Sequence, residues 1–200
     1  MRKFIETPLV KSARLLAVKG HSVCPSYSDM PYIVHPAFVA RCAYDNIDSL
    51  EELGIDDSQM ESTFAGAWLH DYLENVPETS YNDVLQATDE LTAEIVYLLT
   101  DHKGRNRAER HLRTYTELRG VVNGFPCTKV NQPIVHTLAT FNKCADRHEN
   151  LSWGIHTDSS MSKKYRKEYP SFRAMLKVDG LLDAFWKKLD ILHEFTPIVE

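Results

Sequence analysis

Apolar residues recur at three- and four-residue intervals along most of the chain, while alternating β-branched runs bounded by turns are nearly absent. That period gathers the apolar side chains onto one stripe of a helix, so the pattern predicts an all-α fold. A first amphipathic helix is predicted from Pro8 to Lys19, followed by a loop of Ser, Pro and Asp from Ser22 to Met30. Tyr32 to Tyr44 predicts a second helix with Pro36 in its first turn, where an N–H would have no intrahelical acceptor. His35 then stands at the helix entrance. Ser58 and Glu61 have the spacing of a capping box ahead of Phe64, Ala67 and Trp68, which predicts a third helix that carries His70 to Asn75 and ends at Pro77. Further helices are predicted over Asp89 to Asp101, Arg107 to Arg119, Pro133 to about Leu151, and one or two segments between Ser162 and His193. Gly120 to Gln132, with Gly124, Phe125 and Pro126, is the most irregular internal stretch and reads as a surface loop near a site mouth.

Composition narrows the picture. A chain of 200 residues with 43% hydrophobic content suffices for one well-buried core, and the nine Pro and eight Gly are scattered without a linker or repeat, so one domain over 1–200 is expected. A net charge of −5 argues against a general nucleic-acid binder, so an anionic partner must be met locally. Cys24, Cys42, Cys127 and Cys144 lie far apart and form no CxxC, which fits reduced thiols better than a disulfide framework. The first six residues carry charge where a signal peptide needs an apolar core, and no window approaches membrane-spanning length; no membrane partner and a cytoplasmic location are expected.

Chemistry concentrates at His70-Asp71, where two strong ligands stand adjacent among apolar and aromatic residues. A carboxylate left unpaired in such surroundings costs several kcal/mol, so Asp71 must be salt-bridged, exposed or bound to a metal. On a helix Glu74 shares a face with both, and Lys143, Asp146, Arg147 and Asn150 line one side of the later helix. Neutral imidazoles with carboxylates suit Mn, Fe, Zn or Co, and four protein ligands leave positions for water and a substrate oxygen. A metal so held lowers the pKa of its water and favours hydrolysis of a phosphate ester or pyrophosphate.

The ordered set His35, His70-Asp71 and Asp146 resembles the H…HD…D signature of HD-domain phosphohydrolases. The flanking residues are closer to one branch, the RelA/SpoT-type alarmone hydrolases and their small stand-alone relatives. Tyr32-Ile33-Val34-His35-Pro36 resembles the branch's "PYIxHP", Ala67 to Asn75 its "AxLHDxxED", and Lys143 to Leu151 its "KxADRxxNL". The resemblance runs from about Ala13 to Leu151 and includes Leu99-Thr100; residues 152–200 match no motif and read as C-terminal helices packed on the rest.

What the resemblance implies is a single-domain HD-type helical bundle holding one divalent ion, Mn²⁺ first and Fe, Co, Zn or Ni otherwise, on His35, His70, Asp71 and Asp146. The expected substrate is a small-molecule nucleotide cleaved at a pyrophosphate or phosphoester bond, a guanosine 3′,5′-bis(diphosphate)-like molecule first. The alternatives are a nucleotidase or dNTP triphosphohydrolase of the same superfamily, or an HD module that binds a nucleotide without turnover. By position, Glu74 takes an acid/base or water-orienting role. Lys143 and Arg147 neutralise phosphate or buttress the metal carboxylates, Asn150 faces the ribose, and His21 matches a histidine that precedes "PYIxHP". Two departures stand out. Asn75 occupies a catalytic position where the branch has Asp, and an amide cannot act as a general acid or base, so either Glu74 works alone or the activity is altered. The loop Cys24 to Asp29 also lacks the basic residues that the branch uses to contact guanine.

Other features carry structural alternatives. Lys103, Arg105, Arg107, Arg110 and Arg113 form either a solvated helix entrance or a polyphosphate-gathering patch. Tyr115 reads as a core tyrosine or as a stacking partner for a base. His102, His111, His136, His148, His156 and His193 read as structural or exposed. Phe172, Phe185, Trp186 and Phe195 read as core packing or as a subunit contact in a homo-oligomer.

Overall fold

The computed structural model describes residues 6–27, 29–122, 125–126 and 132–194. Its helices are α1 (Pro8–His21), α2 (Val34–Asp45), α3 (Asp48–Glu51), α4 (Asp57–Leu69), α5 (Tyr72–Asn75), α6 (Tyr81–Ala87), α7 (Glu90–Leu99), α8 (Arg107–Arg119), α9 (Ile134–His156), α10 (Ser160–Leu176) and α11 (Asp183–Leu192). Between α8 and α9, β1 (Val121–Val122) pairs antiparallel with β2 (Phe125–Pro126). The all-α expectation holds, with this small hairpin as an addition inside the stretch predicted to be irregular. Gly124 and Cys127 lie outside the described residues.

Helix ends follow their caps. The Thr7 side chain accepts the Val10 N–H at 3.4 Å, and Pro8 opens α1. The capping box of α4 is Asp56 with Gln59, two residues earlier than the expected Ser58 with Glu61: Asp56 Oδ1 accepts the Gln59 N–H at 2.9 Å and Gln59 Oε1 accepts the Asp56 N–H at 3.3 Å. The predicted third helix is broken. α4 ends at Leu69, Asp71 leaves helical geometry at φ −101°, ψ 3°, and the chain resumes as the single turn of α5. The short helices α3 and α6 fall where no helix was expected, because neither is long enough to display a period. α9 runs past Leu151 to His156, buries Gly154, and there meets the start of α10, with Ser162 N only 3.1 Å from where a Cβ on Gly154 would stand.

α9 is the centre of the packing, in contact with α2, α4, α7, α8, α10 and α11. Two features bring α4 close to its neighbours. At Gly66 a Cβ would lie 2.8 Å from Ile95 Cγ2 on α7 and 3.0 Å from Asn142 Nδ2 on α9, so a larger residue would push three helices apart. Asn142 then donates from Nδ2 to the Thr63 carbonyl at 2.9 Å, tying α9 to α4. On the other side, Ala13 and Ala17 of α1 pack with Ala65 and Leu69 in a second apolar cluster. Phe172, Phe185 and Trp186 are buried in the main core, which decides their reading as packing; Phe195 lies outside the described residues. Among the described residues no helix is long and apolar enough to cross a membrane.

Candidate active site

The break between α4 and α5 sets the geometry of the site. Two adjacent helical residues point about 100° apart. With His70 capping α4 and Asp71 in the kink, both side chains instead converge on one point, opposite His35 at the start of α2 and Asp146 in the middle of α9. His70 Nε2 lies 3.2 Å from His35 Nε2, 3.3 Å from Asp71 Oδ2 and 3.8 Å from Asp146 Oδ1. His35 Nε2 lies 3.6 Å from Asp71 Oδ2 and 3.3 Å from Asp146 Oδ1.

These separations match those between neighbouring ligands of one small divalent ion: bonds of about 2.1 Å place adjacent donors about 3.0 Å apart in an octahedron and about 3.4 Å apart in a tetrahedron. The orientation of the ligands agrees. His70 Nδ1 lies 2.9 Å from the Ala67 carbonyl, which places its proton there and turns the Nε2 lone pair into the cluster. His35, His70 and Asp71 are thereby able to hold a metal ion, with Asp146 beside them.

Electrostatics show what a cation would relieve. Burial opposes ionisation of Asp71 and Asp146. Even so, His70 and His35 hold the Asp71 carboxyl well below its usual range, and Lys143 with both histidines does the same for Asp146. Burial also disfavours a charged His70, but Asp71 and Asp146 outweigh it and lift the imidazole to about 9. Without a metal the cluster therefore keeps a proton near neutral pH.

Around the donors sits a set of supporting bonds. Asn75 Nδ2 donates to the Tyr32 hydroxyl at 2.8 Å, and that hydroxyl donates to Asp71 Oδ2 at 2.7 Å. Lys143 Nζ stands 3.4 Å from Asp146 Oδ2, and Asn150 Nδ2 donates to Asp146 Oδ1. Tyr27 stacks on His35 with ring centres 4.8 Å apart and directs its hydroxyl toward Asn150 Oδ1 at 3.4 Å.

His35, Asp71 and Asp146 line one wall of a cleft of about 260 Å³, with His70 buried behind them, and Glu74, Asn75, Asp101, Arg107, His111, Tyr115 and Arg147 line the rest. Glu74 reaches the cleft from α5 although the continuous helix assumed for it is broken, and burial, with Asp71 and Asp101 adding to it, pushes its carboxyl pKa up. Behind the far wall Glu168 accepts from Arg107 at 3.0 and 3.3 Å and from Arg147 at 3.5 Å, while Arg147 also donates to the Tyr115 hydroxyl at 3.2 Å.

Of the residues singled out in the sequence, His35, Asp71, Asp146, Glu74, Asn75, Lys143, Arg147 and Asn150 line this cleft, and His70 meets them from behind, against His35. His21 does not reach its surface. It is buried at the end of α1, donates from Nδ1 to the Ala17 carbonyl at 2.9 Å, and stacks on the back of Tyr32 with ring centres 5.1 Å apart. Arg147 turns to Glu168 and Tyr115 and does not buttress a metal carboxylate. The cationic run divides: Arg107 enters the cleft, whereas Arg105 and Arg113 both pair with Glu109 outside it. Tyr115 is buried in the core and also lines the cleft. Tyr32, Tyr27 and Glu168 were not singled out for a role; the only sequence signal was the place of Tyr32 inside the same short motif as His35.

No protein-family model and no curated protein matches the chain. A solved structure of a metazoan ortholog of SpoT is similar to it, with a TM-score of 0.63 at 18% identity over 98% of this chain and 100% of that one. The fold is shared. That ortholog is described as hydrolysing ppGpp and playing a role in starvation responses. The all-α fold expected from the sequence is the fold found, and it is the one that ortholog has.

Proposed function

We propose that this protein is a metal-dependent phosphohydrolase acting on a nucleotide, with a guanosine 3′,5′-bis(diphosphate)-like pyrophosphate as the first candidate substrate and Mn²⁺ as the first candidate ion. The observation that carries this reading is the convergence of His35, His70, Asp71 and Asp146, drawn from three separate segments, with donor separations of 3.2 to 3.8 Å. The similarity to the SpoT ortholog supports the choice of substrate class. A bound divalent ion supplies a water made acidic enough to attack phosphorus near neutral pH. The chain's own residues do the rest. Glu74, with its raised pKa, stands where it can hold or pass a proton in the cleft. Lys143 and Asn150 fix Asp146, and Tyr32 fixes Asp71.

The test is a product-resolved screen of nucleotides with and without Mn²⁺. Release of pyrophosphate from the 3′ side of the alarmone, abolished in Asp71→Ala, supports the reading. Attack on a 5′ phosphate selects a nucleotidase or triphosphohydrolase in its place. A second reading, a nucleotide-binding module without turnover, is favoured by the engagement of the Asn75 amide with Tyr32, which leaves Glu74 without a carboxylate neighbour at that position. Tight nucleotide binding by calorimetry with no product after prolonged incubation selects it.

A further inference from the structure

Apart from the His/Asp cluster, one other group of metal-capable side chains stands together among the described residues. Cys42 of α2 meets His148 and Glu149 of α9, with one donor atom from each within 4.8 Å of the other two. None of the three lines the cleft. The thiol is buried at 5% exposure, while the His148 and Glu149 side chains retain 28% and 21%, so solvent reaches the group over a sulfur floor. His148 Nδ1 and Glu149 Oε1 are 2.8 Å apart, close enough for both to bind one ion.

In the metal-free protein the thiol keeps its proton, because burial and the neighbouring Glu149 carboxylate push its pKa well up. Asn46 Nδ2 donates toward Cys42 Sγ at 3.6 Å, and the same amide is held by the Cys42 carbonyl at 2.8 Å and by Lys188 Nζ on its oxygen at 2.6 Å. The Asn46 N–H aimed at sulfur offsets part of this, and a bound cation is what would draw out the thiolate.

We propose that Cys42, His148 and Glu149 form a second divalent-cation site, of the thiolate, imidazole and carboxylate class that suits Zn²⁺ or Co²⁺. On binding, the Cys42 proton passes to solvent and the thiolate lone pair goes to the ion; no electron changes hands. The site clips α2 to α9, the helices that carry His35 and Asp146, and so braces half of the cleft's donor set from outside. It is independent of the proposed hydrolysis.

The experiment is a Co²⁺ titration of the full chain under reducing conditions, following sulfur-to-metal charge-transfer absorption. The His/Asp cluster contains no sulfur, so the band does not come from it, and the Cys42→Ser protein separates Cys42 from the other three thiols. A saturable band is expected in the unmodified protein and in Asp71→Ala. It should vanish in Cys42→Ser, and in His148→Ala the apparent affinity should fall about tenfold or more. No sulfur band in the unmodified protein, or an undiminished one in Cys42→Ser, overturns the site. If Cys42→Ser fails to fold by circular dichroism, His148→Ala and Glu149→Gln decide, since both side chains are partly exposed; titrations unchanged from the parent in both overturn the proposal. The behaviour of Asp71→Ala keeps this result separate from any failure of the His/Asp cluster.

Discussion

The two walls of the cleft treat charge in opposite ways. On the wall built by α2, the α4–α5 break and α9, lone pairs and negative charge converge, and Lys143 is the cation placed beside them. On the side built by α8, α10 and the Arg147 turn of α9, Arg107 and Arg147 already share Glu168, and Arg147 lies over the rings of Tyr165 and Phe172 at 5.0 and 4.6 Å. Burial and Arg107 hold the His111 imidazole down at about 4, which leaves it neutral at physiological pH. The two walls therefore ask different things of a ligand. The first gains by receiving a cation; the second can grip a phosphate only by sharing or displacing a carboxylate.

The strongest way to break this contrast is to disable the first wall without unloading it. Glu74→Gln keeps the shape of the cleft and removes a group that can carry a proton, so kcat should fall by about 10² to 10⁴ while Mn²⁺ uptake by calorimetry stays near that of the parent. Unchanged kcat would take Glu74 out of the chemistry. Next, Tyr32→Phe deletes the hydroxyl on Asp71, and a loss of about 10- to 100-fold in metal affinity or activity is expected, with Asn75→Ala following in the same direction but more weakly, because it acts through Tyr32. Equal affinities in all three proteins would make the tyrosine a bystander.

Acidity offers a third probe. The metal-free His70 carries a proton up to about pH 9 that the ion must displace, so affinity for Mn²⁺ should rise by about tenfold per pH unit between neutrality and pH 9 and flatten above it. The sign for stability is opposite. A folded pKa raised above the unfolded value stabilises the metal-free protein fully below about pH 6.5, and that contribution is lost as pH rises through 9. Thermal melts of chelated protein across that range should show the decline, and Mn²⁺ should reduce it. Finally, Glu168→Gln frees the arginines of the second wall. A fall of a few-fold in KM for a phosphorylated substrate, with kcat little changed, is expected; an increase in KM would mean that the carboxylate positions the arginines more than it competes for them.

Much of the donor set was legible because each donor sits inside a short stretch of neighbouring residues: His35 before Pro36, His70 beside Asp71, Asp146 among Lys143, Arg147 and Asn150. The helical period gave most of the elements in the same way. The kink after Leu69 was not legible, since Leu69 to Leu73 contains neither Gly nor Pro and a local pattern continues straight through it. Nor were the partners of the arginines. Glu168 lies 61 residues from Arg107 and 21 from Arg147, in a quarter of the chain without motifs, and its choice of neighbour is decided by how α10 packs on α8 and α9. The same applies to His21, which the motif order placed at the substrate and the packing of α1 placed behind Tyr32.

The Asn75 amide has a consequence for where a hydrogen atom rests. Because its NH₂ group can only donate to Tyr32, the phenol must give its own hydrogen onward, and the acceptor in line is Asp71. An ionised aspartate at position 75 would have contested that hydrogen, leaving the phenol to rotate between two rivals. With the amide the row of three side chains has one polarity: a residue that cannot trade protons with substrate is what makes its neighbour's proton stay put.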